Sequence, residues 1–107
     1  MYRGTTPTIT LQFNSDLDLT RMEQIWVTFE GKNAEVTHDI TTLEIDSENS
    51  RISVTLSQED TLKFQNLKGK VEVQARFLDD EGVAMASDIA EIDLNRILKE
   101  GVISTNG

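Results

Sequence analysis

The 107-residue chain has no cysteine, a single histidine (His38), a single proline (Pro7) and only 6% aromatic residues. Without cysteine there is no disulfide, no thiolate metal site and no cysteine nucleophile, so stability has to come from packing alone. One imidazole and no Gly-x-Ser-x-Gly turn leave a nucleophilic triad without its parts, and His38, in a polar strand-turn context, reads as a surface residue. The six glycines stand apart from one another, which removes the glycine-rich cradle that phosphate binding uses. No apolar run approaches the length that spans a bilayer, and Met1-Tyr2-Arg3-Gly4-Thr5-Thr6-Pro7 lacks the apolar stretch of a secretory signal. The expectation is a chain that stays in the compartment where it is made, without a membrane partner.

Basic residues are also scarce: ten Lys and Arg against nineteen Asp and Glu give a net charge of −9. Phosphate backbones need a basic surface, so nucleic acid is not an expected partner. The acidic residues are spread along the chain, where they serve solubility and mutual repulsion of free subunits. At this length the chain fits one domain, residues 1–107, with a short N-terminal arm (1–6) and a C-terminal arm (95–107).

What is present is alternation. Thr8-Ile9-Thr10-Leu11-Gln12-Phe13 puts Ile9, Leu11 and Phe13 on one face of a first strand. In Gln24 to Gly31, the strongest strand pattern, Ile25, Val27 and Phe29 point inward and Trp26, Thr28 and Glu30 outward. Between them, Leu17, Leu19 and Met22 tuck under an acidic loop or helical turn. A turn at Gly31-Lys32-Asn33 leads to a short strand over Glu35 to His38. Leu43 and Ile45 then face Ile52, Val54 and Leu56 across a hairpin closed by residues 46–50. Ser57 followed by Gln58-Glu59-Asp60 has the form of a helix N-terminus and predicts a short helix over about Gln58 to Gln65, anchored by Leu62 and Phe64. Asp60 is shorter than the Glu or Gln of a full capping box.

Val71, Val73, Ala75 and Phe77 alternate cleanly, and Asp79-Asp80-Glu81-Gly82 closes a hairpin to the last strand. There the phase changes: Val83 and Met85 share one face while Ile92 and Leu94 fall on the other. A bulge near Ser87 or Asp88 reconciles them. Residues 97–103 are either one helical turn stopped at Gly101 or an arm leaving the domain, and residues 104–107 read as disordered. About seven short strands and one short helix predict an all-β fold, an antiparallel immunoglobulin-like β-sandwich.

Carboxylate pairs Asp16 with Asp18, and Asp79, Asp80 with Glu81, are the residue types of calcium or acid–base sites. Neither has the ligand spacing of a calcium loop, and both read as solvated turns. No cofactor, metal site or catalytic residue is expected. Trp26 is the most informative side chain, either an interface anchor or a residue covered by the domain's own loops or N-terminal arm. Tyr2 and Ile103, near the two ends, are similar candidates, and Ile97, Leu98, Val102 and Ile103 form an apolar cluster that a small sandwich need not bury in itself.

The chain resembles a family of short proteins encoded among the tail genes of phages and prophages of Gram-positive bacteria. The resemblance lies in Arg3-Gly4-Thr5-Thr6-Pro7-Thr8, in Val27-Thr28-Phe29 and in the run from Val54 to Phe64. It continues in Val71 to Arg76, Ala86-Ser87-Asp88-Ile89 and Gly101-Val102-Ile103, so it covers nearly the whole length. More distantly the pattern is similar to the N-terminal β-sandwich of baseplate upper proteins of phages of lactic-acid bacteria. These resemblances imply a non-enzymatic structural or assembly protein of a tail or baseplate, found in the host cytoplasm during assembly and then in the virion. The implied partners are other phage structural proteins, with a homo-oligomer as a further option. The alternative from another class is a carbohydrate-binding or adhesive sandwich. An enzyme using two acidic residues ranks last, because a domain this small has little room for a deep cleft.

Overall fold

The structure is a computed structural model that describes residues 1–104; the disorder expected beyond Ser104 lies outside the described residues. It is mostly β, with two antiparallel sheets and one helix. The strands are β1 (Thr8–Gln12), β2 (Met22–Gly31), β3 (Ala34–Asp39), β4 (Glu44–Asp46), β5 (Arg51–Thr55), β6 (Gly69–Asp79), β7 (Ala84–Ala86) and β8 (Ala90–Leu94). Helix α1 spans Gln58–Leu62. One sheet has the order β1-β5-β4; the other has the order β3-β2-β6-β7, with β8 also pairing β6.

The alternation read from the sequence is the core. Ile25, Val27 and Phe29 of β2, Ile52 and Val54 of β5, and Val71, Val73, Ala75 and Phe77 of β6 are all buried. They fill the space between the facing sheets with apolar side chains from every second position. Ile9, Leu11 and Phe13 pack against this cluster while remaining partly exposed.

The final strand is divided in two, which makes eight strands among the described residues where about seven were expected. β7 pairs β6 with Arg76 opposite Ala86, and β8 pairs it with Val73 opposite Ala90, so residues 86–90 contain one more residue than 73–76. That single insertion returns Met85 and Ile92 to the same inner face, beside Phe77 and Val71, and resolves the change of phase at the expected place. Ser87 repairs the ladder there: its N–H donates to the Ala75 carbonyl at 2.9 Å and its hydroxyl accepts from the Ala75 N–H at 3.0 Å.

Helix α1 is shorter than the sequence predicts, ending at Leu62 instead of Gln65. Its start is stronger than expected. Ser57 Oγ accepts from the Asp60 N–H at 3.0 Å, and an Asp60 carboxylate oxygen accepts from the Ser57 N–H at 3.1 Å, a complete capping box despite the short side chain. Thr61 is fully buried and donates to the Thr5 carbonyl at 2.9 Å, tying the helix to the segment before β1. Leu62 is only half-buried, and Phe64 is the anchor.

Of the loop or helical turn expected before β2, the chain forms a 3-10 turn at Leu19–Arg21, capped by Asp18, that buries Leu19. Among the described residues, no helix is long and apolar enough to cross a membrane.

Candidate functional site

Three parts of the surface gather the residues that point toward function. The first is the outer face of the larger sheet. Trp26 lies there, 45% exposed, with Asp39 of β3 on one side and Arg76 of β6 on the other. It is therefore not covered by the loops or by the N-terminal segment. One row further, Thr28 meets Thr37 through their hydroxyls at 3.1 Å. Beyond that, Glu35, Glu30, Glu72 and Glu91 stand side by side across β3, β2, β6 and β8.

Like charges directly opposite each other in a sheet are destabilising. Replacing Glu72, which has a glutamate on both sides, by lysine converts two repulsive pairs into attractive ones. Glu72→Lys is expected to raise stability by roughly 1 kcal/mol, and the gain should shrink in high salt. Denaturation of both proteins at low and high sodium chloride checks it.

The second part comprises the two terminal segments. The N-terminal one runs beside the end of β8: the Arg3 N–H donates to the Asn95 carbonyl at 3.0 Å and the Asn95 N–H to the Met1 carbonyl at 2.7 Å. Tyr2, between them, projects into solvent. Gly4 follows with a positive φ of 76°, and a β-carbon there would come within 2.8 Å of the Ile97 side chain, so glycine is the residue that allows this approach.

The C-terminal segment, expected as a helical turn or a departing arm, is held to the domain in extended or bent backbone. The Asn66 amide group donates to the Ile97 carbonyl at 3.0 Å and accepts from its N–H at 2.9 Å. The Gln58 amide grips Ile103 in the same two-way manner, at 3.0 and 2.8 Å, and Arg3 pairs with Glu100. Ile97 is half-buried against the domain. Leu98 is 87% exposed, and Val102 and Ile103 are exposed as well.

The third part was not legible in the sequence. Between the free side of β1 and the β7–β8 edge the two sheets do not close, leaving an open groove of about 680 Å³. Leu11, Phe13 and Leu17 line one wall, and Phe77, Met85 and the bulge residues 87–89 the other. Phe13 and Phe77 meet edge to face across it, with ring centroids 5.4 Å apart. On the opposite side of the sandwich the 3-10 turn Ile40–Thr42 links β3 to β4 and packs Ile40 against the core.

His38 is less exposed than expected: half-buried, it sits between a hydroxyl and a carboxylate, with Nδ1 3.0 Å from Thr42 Oγ1 and Nε2 2.9 Å from an Asp60 oxygen. Thr42 donates its hydroxyl proton to the Asp39 carbonyl at 3.2 Å, which leaves its oxygen as an acceptor for His38. The same Asp60 oxygen receives the Ser57 N–H, so the imidazole joins β3 to the start of α1.

Burial, the largest influence on the Asp60 carboxyl, raises its pKa, and the Ser57 N–H with His38 more than reverses this, leaving it below the ordinary 3.8. Asp39 beside the Thr41 hydroxyl, Asp46 beside Asn49, Asp80 beside Arg21 and Asp93 beside Lys70 are lowered too. A carboxyl with a depressed folded pKa stabilises the fold above its unfolded value, and that stabilisation is lost as pH falls through the folded value. Stability is therefore expected to hold through neutral pH and to decline below about pH 3.8. Urea unfolding at a series of pH values checks this, with Asp60→Asn expected to reduce the slope.

Among the described residues, no group of three or more His, Asp or Glu side chains is placed to hold a metal ion. Asp16 and Asp18 sit in the loop before β2, where Asp18 caps the Leu19–Arg21 turn. Asp79 is consumed by its own turn, accepting from Glu81 and Val83, and Asp80 and Glu81 pair with Arg21. Compared with known proteins, the chain matches no family model, no curated protein and no solved structure.

Proposed function

We propose that this domain is a non-enzymatic structural or assembly protein of a phage or prophage, working in the tail or baseplate through contacts with other phage structural proteins. We read its two-sheet body as an immunoglobulin-like sandwich. The nearly full-length resemblance supplies the setting.

The observation that carries the role is the C-terminal segment. Its backbone is held by Asn66 and Gln58 and its Glu100 side chain by Arg3, yet Leu98, Val102 and Ile103 turn their side chains to solvent. An apolar cluster held in a defined shape but not buried by its own domain is the signature of a contact surface. Such a surface is small for one subunit, and repeated in a symmetric particle it gains through multivalency.

Two tests separate this role from a folding role. A Leu98→Lys, Ile103→Lys variant is expected to unfold at the same temperature as the parent while failing to enter particles from an induced host. Removing residues 96–107 leaves β8, which ends at Leu94, intact. That truncation is expected to fold cooperatively with reduced stability and to be excluded from particles. Loss of cooperative unfolding in the truncated protein would instead make the segment part of the core.

A carbohydrate-binding role has one observation in its favour, the exposed indole of Trp26 between Asp39 and Arg76. A glycan-array signal abolished by Trp26→Ala would favour that role over the phage one.

A further inference from the structure

The four outer edges of the two sheets are not alike. β3 carries Glu35, His38 and Asp39, and β4 carries Glu44 and Asp46. The β7–β8 edge is broken by the bulge and carries Glu91 and Asp93. Charges and bulges of this kind keep an edge from pairing with a foreign strand. β1 has neither: Thr8-Ile9-Thr10-Leu11-Gln12 is regular, uncharged and rich in β-branched residues.

The backbone of β1 is half used. The Leu56 N–H donates to the Pro7 carbonyl and the Phe13 N–H to the Ser50 carbonyl, which fixes the alternation of the ladder with β5. Residues 7, 9, 11 and 13 thus face β5, and the N–H and C=O groups of Thr8, Thr10 and Gln12 point to the free side. That free side borders the groove.

We propose that β1 is a strand-addition site: an extended, lysine- or arginine-bearing segment of a partner protein pairs with its free edge and sends alternate apolar side chains into the groove toward Phe77 and Met85. This site lies apart from the C-terminal surface and stands without it.

The occupant follows from three observations. The groove lining is predominantly apolar, and its size suits a few large side chains, since pockets of roughly 300–1,000 Å³ are the range that holds such groups. Asp88 is the single charged residue along it among those described, and the whole chain carries −9, so a basic segment is attracted and an acidic one repelled. A second copy fits poorly. Its own neutral edge is β1, whose Ile9 and Leu11 are already committed to its core and have nothing to offer the groove.

The probe is the synthetic peptide Lys-Thr-Val-Thr-Phe-Thr-Val-Thr-Lys, with a control in which glutamates replace both lysines, titrated into the whole chain. Amide hydrogen exchange is read by NMR. The expected result is exchange slowed at least tenfold at Thr8, Thr10 and Gln12, with the glutamate peptide binding at least fivefold more weakly.

Thr10→Pro removes an outward donor without removing a bond to β5 and should abolish the protection. If that variant fails to fold, Leu11→Lys, whose ammonium can reach solvent through the groove mouth, serves in its place with the same expectation. Protection of Ala34–Asp39 or Ala90–Leu94 instead of β1 would overturn the proposal, as would no protection at all. Equal binding of the two peptides would overturn the basic occupant. Dimerisation of the protein alone that protects the same three amides would assign the edge to a second copy and overturn it too.

Discussion

Phe64→Ala is expected to destabilise the domain by about 3–5 kcal/mol, the range for emptying a buried aromatic site. Phe64 follows the short helix and is 1% exposed, so its ring is the main attachment of the α1 region to the core. It lies against Gly31 at the end of β2: a β-carbon on Gly31 would approach the ring at 2.7 and 3.3 Å. Gly31→Ala alone should therefore cost roughly 1–3 kcal/mol through overpacking. In the Phe64→Ala background the same change should cost far less, because the methyl enters the space the ring left. Chemical denaturation of the four proteins of this cycle measures the coupling, and additive effects would show that the two residues do not share that space.

Arg3→Ala carries the second large effect. The guanidinium donates from Nε to the Phe64 carbonyl at 2.6 Å and from Nη2 to the Leu62 carbonyl at 3.0 Å, and it pairs with Glu100. These carbonyls lie at and just beyond the end of α1, where backbone acceptors lack helical partners. Removing the side chain leaves them without their charged donor and releases Glu100 from the N-terminal segment. The expected loss is roughly 2–3 kcal/mol. Arg3→Lys should recover less than half of it, since an ammonium on a flexible stem does not span two carbonyls as a planar fork does. Thermal unfolding of the three proteins tests both statements; full recovery by lysine would mean that charge, not geometry, supplies the stability.

Period-two alternation carried most of the fold. In β2 and β6 the inward residues were legible because each strand is buried on one face along its length, so every second residue had to be apolar. The one-residue insertion near Ser87 was legible for the same reason, as a break in that period. The sheet order was not: nothing local in Arg51 to Thr55 specifies that β5 lies between β1 and β4.

The same division holds for the candidate sites. Trp26 could be assigned to the outer face by parity, and its exposure follows from that assignment. Arg3 gave no sign of its role, because two of its partners are backbone carbonyls about sixty positions away, which carry no residue-specific signal, and the third, Glu100, lies near the other end of the chain. The tie between His38 and Asp60 was not legible, because it joins residues twenty-two positions apart that the helix cap brings together. The groove escaped notice for a further reason: its walls come from β1, the loop after it, β6 and residues 85–90, which only the tertiary fold brings together.

We propose that this domain works by being built into a phage particle. Quantitative mass spectrometry of assembly intermediates and mature particles from an induced host tests it most directly. The expected result is a fixed stoichiometry relative to the other tail proteins in the tail intermediates, in the mature particle or in both; absence from every intermediate and from the particle, with the protein abundant in the same cells, would contradict it.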